Sequence, residues 1–440
     1  MYLIYGLQKS GLSIIKLLNK KNKKYKIWDD NIKIRKNLKN FFKDTIFFNP
    51  NRNNLNEFKK IYVSPGISLR KDIFCIKNVT KKLNRDLNLY LSHLKNQKII
   101  AITGTNGKST TTKLIGDILI KNNIKTFVGG NIGEPLCNSL TSKKNYDFHV
   151  IELSSFQLEK ISNFNSKISI ITNLANDHLD RYKNINDYIN QKRKIISENG
   201  INIISIDDKY SKKIFLQKEI KNKISFSICD QSANVYMIDN FIFDNYFKKN
   251  KKLYINELSK DLEGHFNKQN IIISYICCKL LRLPEKNFLK TIKNFRGLPH
   301  RSKVIYKSSK LKIINNSKST NINSTINSIR NYENIYLIMG GIAKEDNFEI
   351  ISKYKNKIKC IYVYGSSALV IKKKLNNVIK IKQFKNLQLV IKQLFKDLKN
   401  NNSFSNILFA PACASFDQYK NFEERGEHFI NLIKQNVKEL

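Results

Sequence analysis

The sequence contains no apolar run that approaches the ~18 residues needed to span a bilayer. The best candidate, residues 271–281, is interrupted by Ser274, Tyr275 and Lys279. The chain also lacks a basic leader followed by an apolar stretch and a small-residue cleavage site, and opens directly on a strand-like segment. We therefore expect a soluble cytoplasmic protein that has no membrane partner.

Cysteine pairs with chemical meaning are also absent. None of the seven cysteines forms a C-x-x-C pair, and their odd number argues against a full set of disulfides. The pattern therefore indicates neither a zinc site nor a disulfide framework, and it favours free thiols in a reducing compartment. The seven residues are Cys75, Cys137, Cys229, Cys277, Cys278, Cys360 and Cys413.

Acidic residues are scarce: 35 Asp and Glu stand against 79 Lys and Arg, which gives a net charge of +44. The lysines are scattered among abundant Asn and Ile instead of forming a basic tail, and these three residue types share A/T-rich codons. Base composition is thus a simpler cause than a nucleic-acid function, although weak nonspecific binding at low salt is expected. The charge favours anionic small-molecule ligands through long-range attraction.

The chain is long enough for two or three domains, and 41% hydrophobic residues can supply several cores. Short apolar runs alternate with amphipathic stretches, a rhythm typical of α/β folds with parallel sheets. The turn at 6–11 does not match G-x-G-x-x-G, so the dinucleotide signature is missing. We predict α/β units at 1–92, 93–299 and 300–440, with a turn followed by a helix over 6–19. The main predicted strands are 2–5, 25–28, 61–63, 98–103, 148–152, 168–172, 311–314, 335–339, 361–364 and 407–409.

The most informative segment is a strand at 98–103 that leads into the glycine loop GTNGKST at 104–110 and then into an amphipathic helix. This order directs a helix N-terminus and several backbone N–H groups at one point, which suits a phosphate. Lys108 would reach the β- and γ-phosphates, and Ser109 would coordinate Mg²⁺. Because Ile102 stands where the Walker pattern has its first glycine, the loop is a shortened variant.

Acidic and histidine residues follow two further strands. Glu152 ends one strand, and Asp177 and His178 come after another. Singly, Glu152 could cap a helix and His178 could be an ordinary loop histidine. With a phosphate loop on the same sheet edge, a nucleotide-bound metal becomes the better interpretation.

Several longer motifs resemble those of the Mur ligases, which build the peptide stem of peptidoglycan. They are GTNGKST at 104–110, GNIG at 130–133, N-x-x-x-DHLD at 173–180, GHFN-x-x-N at 264–270 and LPHR at 298–301. The segments ELSSFQLE at 152–159 and PACASFDQYKNFEERG at 411–426 resemble the branch of the family that adds D-glutamate. Together the motifs cover essentially the whole chain in the expected order.

The resemblance implies a Rossmann-like N-terminal domain for the UDP-linked substrate, a central P-loop ATPase domain and a Rossmann-like C-terminal domain for the amino acid. It implies an enzyme that uses ATP and Mg²⁺, with two metal ions. Because the sequence shows no obvious large apolar surface or coiled-coil repeat, we expect a monomer. ATP would phosphorylate the carboxylate of UDP-N-acetylmuramoyl-L-alanine, and the amine of D-glutamate would attack the resulting acyl phosphate. A carboxylate is a poor acyl donor until it carries such a leaving group, and the approach of two anions requires nearby cations.

The resemblance also assigns roles position by position. The catalytic residues would be Lys108, His178 and Lys192, with Lys192 at the place of a carbamylated lysine. The metal would be held by Ser109, Glu152, His178 and Lys192. Residues that match the nucleotide contacts are Gly104, Thr105, Asn106, Gly107, Lys108, Ser109, Thr110, Asn267, Asn270 and Arg301. Residues that match the UDP-substrate contacts are Ser10, Asp29, Ser64, Gly66 and Asn131. Residues that match the D-glutamate pocket are Lys318, Thr320, Lys344, Ser415 and Phe422.

Three alternatives remain open at this stage. A sibling stem-peptide ligase or a folylpolyglutamate synthase would lack the segments at 152–159 and 411–426. A non-catalytic nucleotide-binding relative is suggested by Asn316, where the family usually has Asp, and by the missing acidic residue in the loop at 340–344. The presence of Lys108 and Lys192 argues against it. A basic nucleic-acid-binding protein would need sequence-selective, salt-resistant binding.

Overall fold

A computed structural model describes residues 1–43, 46–178, 181–248, 250–344, 346–399 and 403–437. Within these residues the chain forms two compact units. The first comprises 1–174, 186–256 and 269–291, and the second comprises 175–185, 257–268 and 292–440. Leu179 and Asp180, the last two residues of the motif at 173–180, lie outside the described residues.

The described strands, numbered in chain order, are β1 (Tyr2–Tyr5), β2 (Tyr25–Trp28), β3 (Lys60–Val63), β4 (Leu83–Asn84), β5 (Lys98–Thr103), β6 (Thr126–Gly130), β7 (Phe148–Glu152), β8 (Ile168–Ile171), β9 (Ile201–Ser205), β10 (Lys223–Ser227), β11 (Val235–Ile238), β12 (Phe241–Asp244), β13 (Lys251–Tyr254), β14 (Lys303–Lys307), β15 (Leu311–Asn315), β16 (Ile335–Gly340), β17 (Ile358–Tyr364), β18 (Ile381–Phe384) and β19 (Ser405–Ala412).

The described α-helices are α1 (Lys9–Lys20), α2 (Ile32–Lys39), α3 (Lys77–Thr80), α4 (Asp86–Leu91), α5 (Lys108–Lys121), α6 (Leu136–Thr141), α7 (Ser155–Leu158), α8 (Ile185–Arg193), α9 (Lys209–Phe215), α10 (His265–Leu280), α11 (Glu285–Lys293), α12 (Ile322–Ile329), α13 (Ala368–Leu375), α14 (Leu387–Lys399) and α15 (Phe422–Asn436). Short 3₁₀ segments occur at Leu55–Glu57, Asp72–Phe74, Lys260–Leu262 and Phe348–Lys357.

The first unit contains a small parallel sheet in the order β2-β1-β3-β4. Strand β1 turns into α1 at Gly6, whose φ of +98° is a backbone conformation that favours glycine. A side chain at Gly6 would also collide with Ser64, because a Cβ there would lie 2.7 Å from the Ser64 Cβ. The loops after β1 and β3 therefore lie against each other at the carboxyl edge of this sheet, where ligands of parallel sheets bind.

The same unit contains a second sheet in the order β13-β12-β11-β10-β9-β8-β5-β7-β6. Strand β5 lies between β7 and β8 and runs parallel to both, so all three carboxyl ends meet at one edge. The apolar runs of these strands are buried, as is usual for parallel strands covered on both faces. Strands β12 and β13 extend the sheet as antiparallel partners at its far end.

The second unit is built on a third sheet in the order β14-β15-β19-β16-β17-β18. All its pairs are parallel except β14 with β15. Two apolar cores are formed by alternate residues of the same strands. Leu337 and Met339 belong to one core, and Ile338 belongs to the other. Helices α12 and α13 contribute to the first core, and α14 and α15 contribute to the second.

These observations confirm the α/β class with mainly parallel sheets. The division into domains at 1–92, 93–299 and 300–440 stays a prediction, although the three sheets occupy 2–84, 98–254 and 303–412. The third predicted unit was expected to begin with the strand at 311, but the structure adds β14 before it. No helix in the described part of the chain is long and apolar enough to cross a membrane.

Candidate active site

The glycine loop lies between the end of β5 and the start of α5, as the sequence predicts. Gly104 has a φ of +144° and Gly107 a φ of +82°, values that favour glycine. A Cβ at Gly104 would lie 1.9 Å from the Thr172 Oγ1, so the position has no room for a side chain. The loop can therefore keep its shape only with glycine at this position, and α5 begins directly after it at Lys108.

Residues that follow β8 fix the backbone of this loop. The backbone N–H of Thr105 donates to the Asn173 carbonyl at 2.8 Å, and that of Asn106 donates to the Asn173 Oδ1 at 2.9 Å. The Thr172 hydroxyl donates to the Asn106 carbonyl at 2.6 Å. Asn173 opens the motif at 173–180, but no role was predicted for it. Its position directly after a strand that neighbours β5 was the available signal.

Lys108 opens α5 and is half-buried. Its Nζ donates to the carbonyls of Gly104 at 2.9 Å and Thr105 at 2.8 Å, so the ammonium folds back over the loop. Backbone N–H groups at the N-terminus of α5 and this cation together form an arrangement suited to phosphate oxygens.

Glu152 ends β7 and is buried, 2% exposed. The Ser109 hydroxyl donates to its Oε2, and the Asn131 amide donates to its Oε1 at 2.8 Å. The arrangement holds a carboxylate next to a hydroxyl in the first turn of a helix. Asn131, which the family resemblance assigns to the substrate, contacts Glu152 through both its side chain and its backbone N–H.

The oxygen atoms of Glu152 and Ser109 can be compared with the ligands that Mg²⁺ prefers. Among the described residues, no group of three or more His, Cys, Asp and Glu side chains could hold a metal. Mg²⁺ bound to nucleotides commonly takes one or two carboxylates, with phosphate oxygens and water filling its other positions. Glu152 and Ser109 at the end of a phosphate loop fit that coordination, so the metal would be held jointly by the chain and the nucleotide.

Lys192 lies in α8 and is only 2% exposed, which is unusual for a lysine. Its Nζ donates to the Gly104 carbonyl at 2.7 Å and to the Thr103 Oγ1 at 3.3 Å. The ammonium also lies 4.8 Å from the ring centroid of Tyr188, and the Tyr188 hydroxyl contacts the Thr105 Oγ1 at 3.1 Å. The structure therefore brings Lys192 to the phosphate loop. Tyr188 went unassigned, although its spacing of four residues places it on the same helix face.

The candidate nucleotide residues after the loop fall in both units. Asn270, in the first unit, accepts a hydrogen bond from the Thr111 hydroxyl at 2.9 Å, and its Oδ1 would lie 2.6 Å from a Cβ at Gly107. Asn267, in the second unit, donates to the carbonyls of Asp261 and Glu263 at 3.3 and 3.2 Å. The structure thus brings Asn270 to the phosphate loop.

Arg301, in the second unit, follows His300, which has a φ of +59°. Burial lowers the pKa of His300, although Glu427 lies 3.2 Å from its Nε2. Its Nδ1 lies 3.1 Å from the Asn315 amide nitrogen, which suits a neutral ring that accepts there. The backbone that presents Arg301 is therefore fixed by a largely buried imidazole.

In the second unit, Asp177 contacts two candidate residues, Lys344 and His178, and a third residue, Asn321. Its Oδ1 lies 3.4 Å from the Lys344 Nζ, and its Oδ2 accepts from the Asn321 amide at 3.3 Å. The His178 Nε2 lies 3.7 Å from the same Oδ2, and His178 has a φ of +55°. Lys344 and His178, predicted separately, thus contact one carboxylate. Asn321 was not predicted, and no local pattern marks it.

The other candidate amino-acid residues lie in segments that are near a second buried charge in the sequence or are joined by it. The Lys318 Nζ lies 3.9 Å from the ring centroid of Phe422. Arg425 is fully buried and donates to the carbonyls of Ser317 at 2.7 Å, Cys413 at 3.0 Å and Gly340 at 3.3 Å. It therefore joins the three loops that carry Lys318 and Thr320, Lys344, and Ser415. Arg425 belongs to the motif at 411–426, but no role was predicted for it.

Asn316, which departs from the family pattern, is also buried. Its amide donates to the Ser328 hydroxyl at 2.7 Å, and its backbone N–H donates to the Phe409 carbonyl at 2.8 Å. The amide therefore has a structural partner inside the second unit.

The candidate UDP-substrate residues lie at the carboxyl edge of the first sheet. Asp29 accepts from the backbone N–H groups of Leu7 at 2.7 Å and Asn31 at 2.9 Å. The Ser64 hydroxyl donates to the Gly6 carbonyl at 2.7 Å. Ser10 lies in the first turn of α1, and Gly66 is exposed in the loop after β3. The structure thus brings Ser10, Asp29, Ser64 and Gly66 to one sheet edge.

Comparison with known proteins shows the family to which the chain is related. Residues 102–278 match the model of the Mur ligase middle domain. The UDP-N-acetylmuramoylalanine–D-glutamate ligase of Rickettsia prowazekii is 38% identical over 98% of this chain and 97% of its own length. The protein of that name from Buchnera aphidicola is 35% identical over 98% of this chain and 97% of its own.

Solved structures show a common fold at low identity. The UDP-N-acetylmuramate–alanine ligase of Thermotoga maritima superposes with a TM-score of 0.63 and 16% identity over 99% of both chains. A MurF ligase from the same organism, in complex with ADP, gives 0.59 and 16% identity over 87% of this chain and 90% of its own. Identity above 30% to relatives matched over nearly their full length establishes the kinship. This chain therefore belongs to the UDP-N-acetylmuramoylalanine–D-glutamate ligase family, a branch of the ATP-dependent Mur ligases.

Proposed function

We propose that this chain forms the amide bond between UDP-N-acetylmuramoyl-L-alanine and D-glutamate in the cytoplasm, with ATP and Mg²⁺, through an acyl phosphate. The observation that carries the proposal is the glycine loop that begins α5 beside the Ser109–Glu152 pair. The near-full-length identity to ligases of this name supports the choice of substrates.

The chemistry has two steps. A carboxylate oxygen of the muramoyl-alanine substrate attacks the γ-phosphorus of ATP, and the bond to the ADP oxygen breaks. The amine of D-glutamate then attacks the acyl carbon, the amine loses a proton, and inorganic phosphate leaves. Lys108 and the N–H groups at the start of α5 are suited to stabilise the negative charge on the transferring phosphoryl group.

The metal would be held by Glu152 and Ser109, joined by His178 and by Lys192 in carbamylated form. When bound, Mg²⁺ supplies positive charge that neutralises the phosphate oxygens. Carbamylation would convert the Lys192 ammonium, which contacts the Gly104 carbonyl and the Thr103 hydroxyl, into an anion able to bind metal. The burial of Lys192 at the loop supports this role.

The amino acid would be held in the second unit by Lys318, Thr320, Lys344, Ser415 and Phe422. Two ammonium groups match the two carboxylates of D-glutamate. The UDP-linked substrate would contact Ser10, Asp29, Ser64 and Gly66 at the edge of the first sheet, with Asn131 further along.

We propose three domains at 1–92, 93–299 and 300–440 and a monomeric enzyme.

The test is phosphate release from ATP and Mg²⁺ with UDP-N-acetylmuramoyl-L-alanine, in parallel with D-glutamate and L-glutamate. We expect release that requires the D-isomer and is lost in Lys108→Ala, because the Lys108 ammonium that folds over the loop is then missing. Lys113→Ala, in the same helix and paired with Asp117 at 2.9 Å, is the matched control. No release with either isomer, despite ATP binding, would contradict the proposal and favour a non-catalytic relative.

A further inference from the structure

We infer that Arg85 is a positioning residue that holds the loop after β3 in the shape needed for the UDP-linked substrate. The inference rests on the proposed function, because that loop carries the proposed substrate contacts Ser64 and Gly66. Arg85 itself precedes α4 and matches none of the motifs found in the sequence.

The guanidinium of Arg85 is completely buried. Its Nη1 donates to the carbonyls of Val63 at 3.0 Å, Ser64 at 2.8 Å and Ile67 at 3.1 Å. A buried charge is costly unless it is paired and hydrogen-bonded, so these carbonyls and the guanidinium constrain one another. Three carbonyls that converge on one nitrogen fix the path of the backbone from the end of β3 through the substrate loop.

The other side of the guanidinium faces a segment that follows β7, a strand of the second sheet in the same unit. Its Nη2 forms an ion pair with Glu159, whose side chain is 15% exposed. The neighbouring residues reinforce this link. The Asp86 Oδ2 accepts from the Gln157 amide at 3.1 Å, and the Asn88 amide donates to the Lys160 carbonyl at 2.9 Å. Residues 85–88 therefore join the loop after β3 to the segment 157–160.

This link matters because Glu159 ends the segment that begins with Glu152, the proposed metal carboxylate. The UDP end of the substrate would rest on the loop that Arg85 holds, whereas its reacting carboxylate must reach the phosphate loop near Glu152. A small displacement of one anchor relative to the other misaligns the reacting atoms. Arg85 thus sets the distance between the two anchors, and its loss should weaken use of the UDP-linked substrate selectively.

The experiment measures KM separately for UDP-N-acetylmuramoyl-L-alanine, ATP and D-glutamate in Arg85→Met, Arg85→Lys and Glu159→Gln. We expect Arg85→Met to raise the KM for the UDP-linked substrate about tenfold or more, with the other two KM values unchanged. Arg85→Lys keeps the charge beside Glu159 and should recover part of the loss. Arg52→Met is the matched control, because Arg52 belongs to the same small-sheet region but is 66% exposed in its pair with Asp72.

Glu159→Gln should shift the same KM in the same direction by a smaller factor. In combination with Arg85→Met, it should raise this KM little further, because both variants break the same ion pair. Thermal melting reports whether each variant folds. If Arg85→Met does not fold, the KM values of Arg85→Lys and Glu159→Gln decide the outcome. An unchanged KM for the UDP-linked substrate in the folded variants, or equal rises in all three KM values, would overturn the inference.

Failure of the proposed function is seen separately, as absence of product with the wild-type chain. Calorimetric binding of UDP-N-acetylmuramoyl-L-alanine then replaces KM as the readout. Weaker binding in the Arg85 variants supports the positioning role, whereas equal binding, or none by the wild type, overturns it.

Discussion

At the scale of single residues, Lys192 illustrates how burial changes the meaning of a side chain. A lysine in a polar helix would ordinarily be a surface residue, yet its ammonium lies at the phosphate loop. Its role as a carbamylated metal ligand stays a prediction, and it can be tested through the CO₂ that carbamylation requires.

We expect Lys192→Met to lower kcat for phosphate release by roughly a hundredfold or more, because a charged group is lost from the loop. If Lys192 is a carbamate, wild-type enzyme prepared in CO₂-free buffer should gain activity when bicarbonate is added, and the variant should not. Lys209→Met is the control, because Lys209 also lies over a tyrosine ring, that of Tyr210, but is exposed. Equal activity of Lys192→Met and wild type would contradict the assignment.

Ser109 provides a second test at this scale. Its hydroxyl donates to Glu152, so Ser109→Ala should weaken the apparent Mg²⁺ affinity, by about tenfold or more if the serine binds or orients the metal site. The measurement is a Mg²⁺ titration of phosphate release at saturating ATP. Thr291→Ala, which loses only a hydroxyl bonded to the Asn287 carbonyl within its own helix, should leave that titration unchanged. A shift of the same size in both variants would argue against a metal role.

At the scale of elements, the succession of β5, the glycine loop and α5 was predicted best from the sequence. The bounds of β1, β2, β5 and β7 were also predicted to the residue. Strands of both kinds were missed: β13 and β14 lie at sheet edges, whereas β9 and β10 lie inside the second sheet. β14 has lysines at both ends and β13 carries two lysines in four residues, so these two edge strands lack the apolar run by which other strands were recognised.

The glycine loop yields an element-scale prediction. Gly104→Ala should abolish ATP binding and lower stability by about 1 kcal/mol or more, because its Cβ would collide with Thr172 at a φ that favours glycine. Calorimetric ATP binding and thermal melting measure the two effects. Gly133→Ala is the control, because Gly133 also has a positive φ, +63°, but no atom lies within 4 Å of the position that its Cβ would take. Normal ATP binding by Gly104→Ala would show that the loop tolerates a different backbone path.

At the scale of the whole molecule, contacts join buried residues that lie far apart in the sequence. In the first unit, the Tyr90 hydroxyl contacts the His149 Nδ1 at 2.6 Å, and both residues are buried. Burial lowers the pKa of His149 from 6.5 to about 4. The folded protein therefore keeps this imidazole neutral at pH values where an unfolded chain would protonate it.

This difference predicts a pH dependence of stability. Between pH 6.5 and about 4 the unfolded chain binds a proton at His149 that the folded chain does not. The free energy of unfolding should therefore fall as the pH falls through this window, by at most about 1.4 kcal/mol per pH unit from this residue, and level off below it. Urea unfolding of wild type and His149→Phe at several pH values isolates the contribution. Equal slopes for the two proteins would contradict it.

The sequence alone determined the α/β class, the phosphate loop and the family. Each depends on local spacing: apolar runs make strands, glycines at fixed positions make the loop, and long motifs identify relatives. Folding decided that Lys192 contacts the phosphate loop, that Asp177 joins Lys344 to His178 in the second unit, and that Arg85 links two loops of the first. These contacts join residues far apart in the chain, with Asp177 and Lys344 separated by 167 positions. No periodicity in the sequence encodes such pairs, because they form only when packed sheets bring the segments together.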